Sequence, residues 1–291
     1  MKILLIGHSI IDHFAEEAND VAKPGGIFYS ALAMCSVIKP EDELFLLTSF
    51  SKKSFHLFEG VYSQTNMEFS SPLDEMPEVI LKTSIQGERE EIYKNISSSM
   101  SFGKIKDWNM FDAILINMIT GFDITAEQLN DIRKNFSGKI YFDVHTLSRG
   151  VDESMQRIFR PVPNIEKWLA NIDILQCNEL ELKTISKSND EFNSAQEILA
   201  GGSKILIITK GDKGSSVYFL KDGIIQLLNC KAEKIIAVNK IGCGDIFGAV
   251  FFYSYISKND VNYSLRLANK AGASAAANSN MINLTRMDFD D

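Results

Sequence analysis

Residues 242–245 read Gly-Cys-Gly-Asp and lead into "IFGAVFFYSYI" (246–256), a segment apolar on every side. A helix that is apolar all round is a buried helix. The turn therefore opens at the mouth of a buried element. The residues just before it, "IAVNKI" (236–241), read as an apolar strand with polar flanks. The first N–H groups of a helix have no acceptor inside it. Two glycines also remove the β-carbons that would hold an anion at a distance, so the turn reads as a phosphate cradle. Asp245 then has two readings. It is a capping acid stabilised by the helix dipole, or it is placed to take the proton of an attacking hydroxyl.

Such a turn works only if a scaffold brings substrate to it. Short apolar runs rich in Val, Ile and Leu recur at 2–7, 43–49, 112–117, 139–144, 173–178 and 204–210. Near-continuous apolar strands are buried on both faces. Helical patterns alternate with them near 28–38, 125–136, 164–171, 179–187, 190–200, 244–257 and 260–278. This alternation predicts an α/β fold: a three-layer, mostly parallel sheet with helices on both faces. Two stretches interrupt it, 13–27 and 65–97, the second around a Gly87-Glu88 turn. Together they predict a small β lid beside the main sheet. Residues 215–230 predict a hairpin turning at Asp222-Gly223. No linker divides the 291 residues, so the whole chain, 1–291, is expected to be one domain with that excursion.

Composition narrows the function. A net charge of −8 argues against a nucleic-acid partner. No apolar window reaches the length of a membrane span. Cys35, Cys177, Cys230 and Cys243 are scattered, without metal spacing. Free thiols fit a reducing compartment, hence a cytoplasmic protein. The opening "MKILLIGHSIIDHF" is too short in its apolar run for a signal peptide and reads as a first buried strand.

"NKIGCGDIFGAVF" resembles the C-terminal signature of the ribokinase-like (PfkB-type) sugar and nucleoside kinases, with Gly242, Gly244, Asp245, Phe247 and Ala249 in register. The resemblance implies an ATP-dependent phosphotransferase acting on an alcohol of a sugar-like small molecule. In it the amides of Gly242, Cys243, Gly244 and Asp245 stabilise the transferring phosphoryl group, and Asp245 is the base. "NELE" resembles the family's N-x-x-E segment, which implies that Asn178 and Glu181 organise Mg2+ and phosphates; the same pair is also a capping box. "TKGDKG" resembles the turn that implies Thr209, Gly211 and Gly214 beside ATP. Asn269 falls on the late helix that walls the adenine. "GHSIID" and "PGGIFYS" resemble the substrate segments, which implies Asp12, Gly25, Gly26 and Ser30 around the acceptor. A short acid such as Asp12 can accept hydrogen bonds from two hydroxyls.

The order of these elements, from residue 3 to about 278, matches the family's. Departures are also present. Asn239 and Ile241 replace residues that help hold a monovalent cation, so potassium activation is in doubt. Cys243 stands for Ala, and a thiol at a helix N-terminus is open to a lowered pKa. Ile27, Phe28 and Tyr29 make the substrate loop bulkier. "FDVHTLSRG" keeps Asp143 of a D-x-N-x-R segment but has His145 for Asn, and Arg149 is displaced by two. Arg89 in the lid is a further candidate for an anionic substrate group. These departures motivate two alternatives on the same fold, a non-catalytic sugar or nucleotide sensor and a vitamin (pyridoxal-like) kinase. An exposed lid sheet would allow a homodimer by edge pairing.

Overall fold

The computed structural model describes residues 1–15, 22–83, 89–238 and 240–278. The chain opens with β1 (Lys2–Ile6), β2 (Ser9–Phe14), β3 (Lys23–Gly26) and α1 (Phe28–Val37). Next come β4 (Glu43–Leu47), the two-residue strands β5 (Ser49–Phe50) and β6 (Ser71–Pro72) with α2 (Glu59–Tyr62) between them, then β7 (Glu78–Thr83) and β8 (Arg89–Asn95). The centre holds β9 (Ala113–Asn117), α3 (Ala126–Asn135), β10 (Lys139–Asp143) and the hairpin β11 (Arg149–Val151) and β12 (Arg157–Phe159). Then follow α4 (Ile165–Leu169), β13 (Ile174–Asn178), α5 (Glu179–Ile185) and α6 (Glu191–Ala200). The chain continues with β14 (Ile205–Thr209), β15 (Ser215–Lys221), β16 (Ile224–Cys230), α7 (Cys243–Lys258) and α8 (Val261–Ala277).

Eight strands form the main sheet in the order β16-β15-β14-β13-β10-β9-β1-β4. Pairs from β4 across to β14 are parallel, and the two beyond β14 are antiparallel. Alternation along each strand feeds two cores. Leu5, Leu115, Tyr141 and Ile207 face α1, α7 and α8, while Leu4, Ile114, Phe142 and Leu206 face α3 to α6. Residues 246–254 of α7 are all buried, as an all-round apolar helix must be. The hairpin turns at Asp222 and Gly223, both with positive φ (52° and 77°), the geometry a two-residue hairpin loop requires. No helix among the described residues is long and apolar enough to cross a membrane.

A second, four-stranded sheet, β3-β2-β7-β8, stands beside the first as the lid. Its strands begin at Ser9 and end at Asn95. Residues 65–74 lie elsewhere: Asn66 bridges Phe45 of β4, and β6 pairs with β5 in a separate two-stranded sheet. The expected Gly87-Glu88 turn lies outside the described residues, as does part of the 13–27 excursion. The side chain of Arg89 is outside them too. Residues 231–238 form no strand. Val238 N–H donates to Ala276 O (2.8 Å) at the end of α8, and Ile236 is 86% exposed. β16 therefore stays the end strand of the main sheet on that side.

Candidate active site

Asn117, Asp143, Asn178 and Thr209 are the last residues of β9, β10, β13 and β14. Ligands of open α/β sheets bind past this end of the strands. A cleft of about 270 Å³ lies there. Its wall takes Asp143, Asn178 and Thr209 from the strand ends, and Gly242, Gly244 and Asp245 from the start of α7. Its roof takes Ile10, Asp12, Val79, Leu81 and Glu91 from the lid.

Gly242 begins α7 as its N-cap with φ 71°, and a β-carbon there would stand 2.3 Å from the Tyr29 ring. Both the left-handed backbone and the close approach require glycine. This sharp entry turns the first helical amides and Asp245 into the cleft. Asp245 Oδ1 accepts a hydrogen bond from Asn117 Nδ2 (2.6 Å), and the same Nδ2 donates to Ser30 Oγ (3.2 Å). The carboxylate is thereby held from behind by the end of β9.

Gln176 organises the neighbouring acids. Its Nε2 donates to Asp143 Oδ2 (2.9 Å) and to Gly244 O (3.2 Å), and its Oε1 accepts from Tyr141 OH (2.5 Å). Burial pushes the Asp143 carboxyl well above the usual carboxylate range, and Glu181 and Asp245 push it further. Burial also raises Glu181, against the pull of His145, the Asn178 amide and Arg149. No lysine or arginine forms an ion pair with Asp143, Glu181 or Asp245 among the described residues. Three acids gathered without such a partner fit a site that receives a hard cation, because oxygen donors suit Mg2+. No group of three or more His, Cys, Asp or Glu cages a metal by itself among the described residues. Magnesium needs no such cage, since it keeps waters and takes phosphate oxygens as ligands.

Asn178 and Glu181 do form the capping box. Asn178 Oδ1 accepts from the Leu180 and Glu181 amides (both 2.9 Å), and Glu181 Oε2 accepts from the Asn178 amide (2.8 Å). The Asn178 oxygen is thus engaged in the cap. Both residues still line the cleft, so capping and site position coincide.

On the lid side, Asp12 and Gly26 line the cleft and Gly25 sits behind them. A β-carbon on Gly25 would lie 2.4 Å from Asp12 Oδ2, so glycine there makes room for the carboxylate. Ser30 is buried and reaches the site through Asn117 rather than directly. Cys243 is the first residue of α7 but is not part of the cleft wall. Gly211 and Gly214 form a tight turn after Thr209, and Asn269 Nδ2 donates to Ser215 Oγ (2.7 Å) and Leu265 O (2.8 Å). These three residues also stand outside the wall. Asn239 lies outside the described residues, while Ile241 lines the cleft.

The structure adds residues that the motifs did not name. Asn117 is the one polar residue of β9 and Gln176 is a polar residue in the middle of the apolar run of β13, which is the signal that could have found them. Glu91 and Arg157 carry no such signal, because they come from lid and hairpin strands that meet only in the fold.

Residues 146–286 match the family model described as pfkB family carbohydrate kinase. A search of the curated proteins found no match. Among solved structures, the chain is similar to a pyrophosphate-dependent kinase in the ribokinase family, seen in a sulfate complex. The TM-score is 0.77, identity is 14%, and coverage is 94% of each chain. It is similar to a ribokinase from Thermotoga maritima (TM-score 0.73, 17% identity, 97% of this chain and 94% of that one). It is also similar to the ribokinase of Arabidopsis thaliana complexed with ribose and ATP (TM-score 0.72, 16% identity, 97% and 94%). The chain thus has a ribokinase-like fold over its length, and residues 146–286 carry the sequence pattern of the pfkB carbohydrate kinases.

Proposed function

We propose that the chain transfers a phosphoryl group from ATP to an alcohol of a sugar-like small molecule. One observation carries the reading: Asp245 stands on the first turn of α7, fixed by Asn117 at 2.6 Å, and opens on the cleft beside the Gly242–Gly244 amides. The acceptor hydroxyl gives its proton to the Asp245 carboxylate as its oxygen bonds to phosphorus and the donor's bridging P–O bond breaks. The helix-start amides meet the charge that gathers on the phosphoryl oxygens. Asp12 orients the acceptor through its hydroxyls, and the apolar lid residues exclude water. When bound, magnesium would neutralise phosphate charge, and Glu181, with Asp143 beside it, supplies oxygens to hold it.

A second reading concerns the donor. The cleft wall ends at Thr209 and Lys240 and omits Gly211, Gly214 and Asn269, the residues assigned to the nucleoside. Two similar structures are of a pyrophosphate-dependent kinase in the ribokinase family, one complexed with a pyrophosphate analogue and myo-inositol. Both observations favour pyrophosphate as an alternative donor. A matrix of two donors against sugars, polyols and pyridoxal, read by phosphorylated product, tests the proposal. Product on a sugar or polyol supports it. Saturable binding without product on any acceptor would favour a sensor, and product on pyridoxal alone would favour a vitamin kinase.

A further inference from the structure

Two arginines and one lysine line the cleft. Arg157 and Arg149 both reach Glu91 of the lid, at 2.8 Å and 3.3 Å. Lys240 belongs to another part of the wall. It is exposed and pairs with no carboxylate among the described residues. The order of the strands fixes which part. Lid strand β2 follows β1 directly, and β1 lies beside β9, whose Asn117 holds Asp245. Thr209 ends β14, three strands beyond β9, so it marks the end of the cleft away from the lid. The chain that carries Lys240 comes from Cys230 at the end of β16, beyond β14 on that same side. It is anchored where Val238 N–H donates to Ala276 O (2.8 Å), and it enters α7 at Gly242. Lys240 therefore stands across the glycine turn from the lid.

This end of the cleft is fitted for phosphate more than for a nucleoside. Asn178, Thr209, Lys240, Ile241 and Gly242 line it. The Gly214 turn is filled by the chain itself, because a β-carbon there would clash with Cys230 O and the Ala232 amide nitrogen. The whole cleft, about 270 Å³, is smaller than the ~300–1,000 Å³ of sites that enclose a drug-sized ligand. An ammonium group is a compact point charge that suits a phosphate oxygen. In phosphoryl transfer the entering and leaving oxygens lie roughly in line through phosphorus. With the acceptor under the lid and the phosphoryl group at the glycine turn, the leaving oxygen and the phosphate behind it point toward Lys240.

We propose that Lys240 binds the donor phosphate that stays behind when the outer phosphoryl group is transferred. This deepens the kinase reading and rests on it for the transfer, but donor binding is measurable without any acceptor. The experiment uses the full chain in buffer containing magnesium, with pyrophosphate and ADP as the binding probes, read by calorimetry. Lys240→Gln should raise the Kd of pyrophosphate at least about tenfold, the loss of one charged hydrogen bond. Lys240→Arg should recover most of that affinity. Lys52→Gln, which removes the same charge from an exposed site outside the cleft wall, should change it less than about twofold. Thermal unfolding of each variant controls for folding. An unchanged Kd in Lys240→Gln, an equal loss in Lys52→Gln, or no binding of either probe to the wild type would overturn the proposal. A second arm reads product formation on sugars and polyols. Lys240-dependent binding without product on any acceptor would leave the phosphate subsite standing and remove the kinase reading. Product formed with a donor KM that Lys240→Gln does not change would remove Lys240 and leave the kinase reading in place.

Discussion

The two ends of the central sheet handle buried acid in opposite ways. At the amino end, Asp173 precedes β13. It accepts from Arg133 Nη2 (2.7 Å) and the Ile140 amide (3.0 Å), with Lys204 at 3.3 Å and Lys139 at 3.9 Å. Burial pushes its carboxyl up, but the Ile140 amide, Arg133, Lys139 and Lys204 outweigh this and hold it below 3.8. At the carboxyl end, Asp143, Glu181 and Asp245 share one cleft without an ion pair, and Asp143 is pushed far up. The amino end neutralises its acid and stabilises the fold. The carboxyl end leaves Asp143, Glu181 and Asp245 without an ion pair, a cost that a bound cation and a reacting alcohol would relieve.

Removing the partnered acid should have the largest effect on folding. Asp173→Asn should lower stability by about 2 kcal/mol in urea unfolding, because charged hydrogen bonds to Arg133 and Ile140 are lost. The folded pKa of Asp173 lies below its unfolded value, so its contribution is complete above about 3.8 and is lost as pH falls through the folded value. A loss as large at pH 2 as at pH 7 would break the contrast.

Asn117→Ala should act on the other end. Without the hydrogen bond to Asp245, kcat should fall about tenfold with KM little changed, and the loss should largely vanish in an Asp245→Asn background. Equal losses in both backgrounds would make Asn117 a packing residue only.

The smallest effect should be the pH dependence of Asp143. Its folded pKa is raised, so its contribution to stability is present below 3.8 and is lost as pH rises through the folded value. In the absence of metal, the Tm of wild type should fall relative to that of Asp143→Asn as pH rises above 3.8. Parallel Tm curves would show that this end is not strained by charge.

Much of the scaffold was legible because burial on both faces writes itself as continuous Val, Ile and Leu. The six parallel strands and α7 follow from that alone. Residues 236–238 misled for the same reason: Ile236 and Val238 are apolar but exposed, so their hydropathy reports no strand. Residues 65–74 read as part of the lid because β5 and β6 are only two residues each and pair across the chain. Asp245 and the glycine turn were readable because their geometry is local. Asn117, Gln176, Glu91 and Arg157 act through partners up to 128 residues away, and no local spacing records that.

The most direct test of the account is Asp245→Asn, assayed beside wild type for donor binding and for transfer to an accepted alcohol. The account predicts unchanged donor affinity, a folded protein and at least about 10²-fold less transfer. Near-normal turnover in that variant would contradict it.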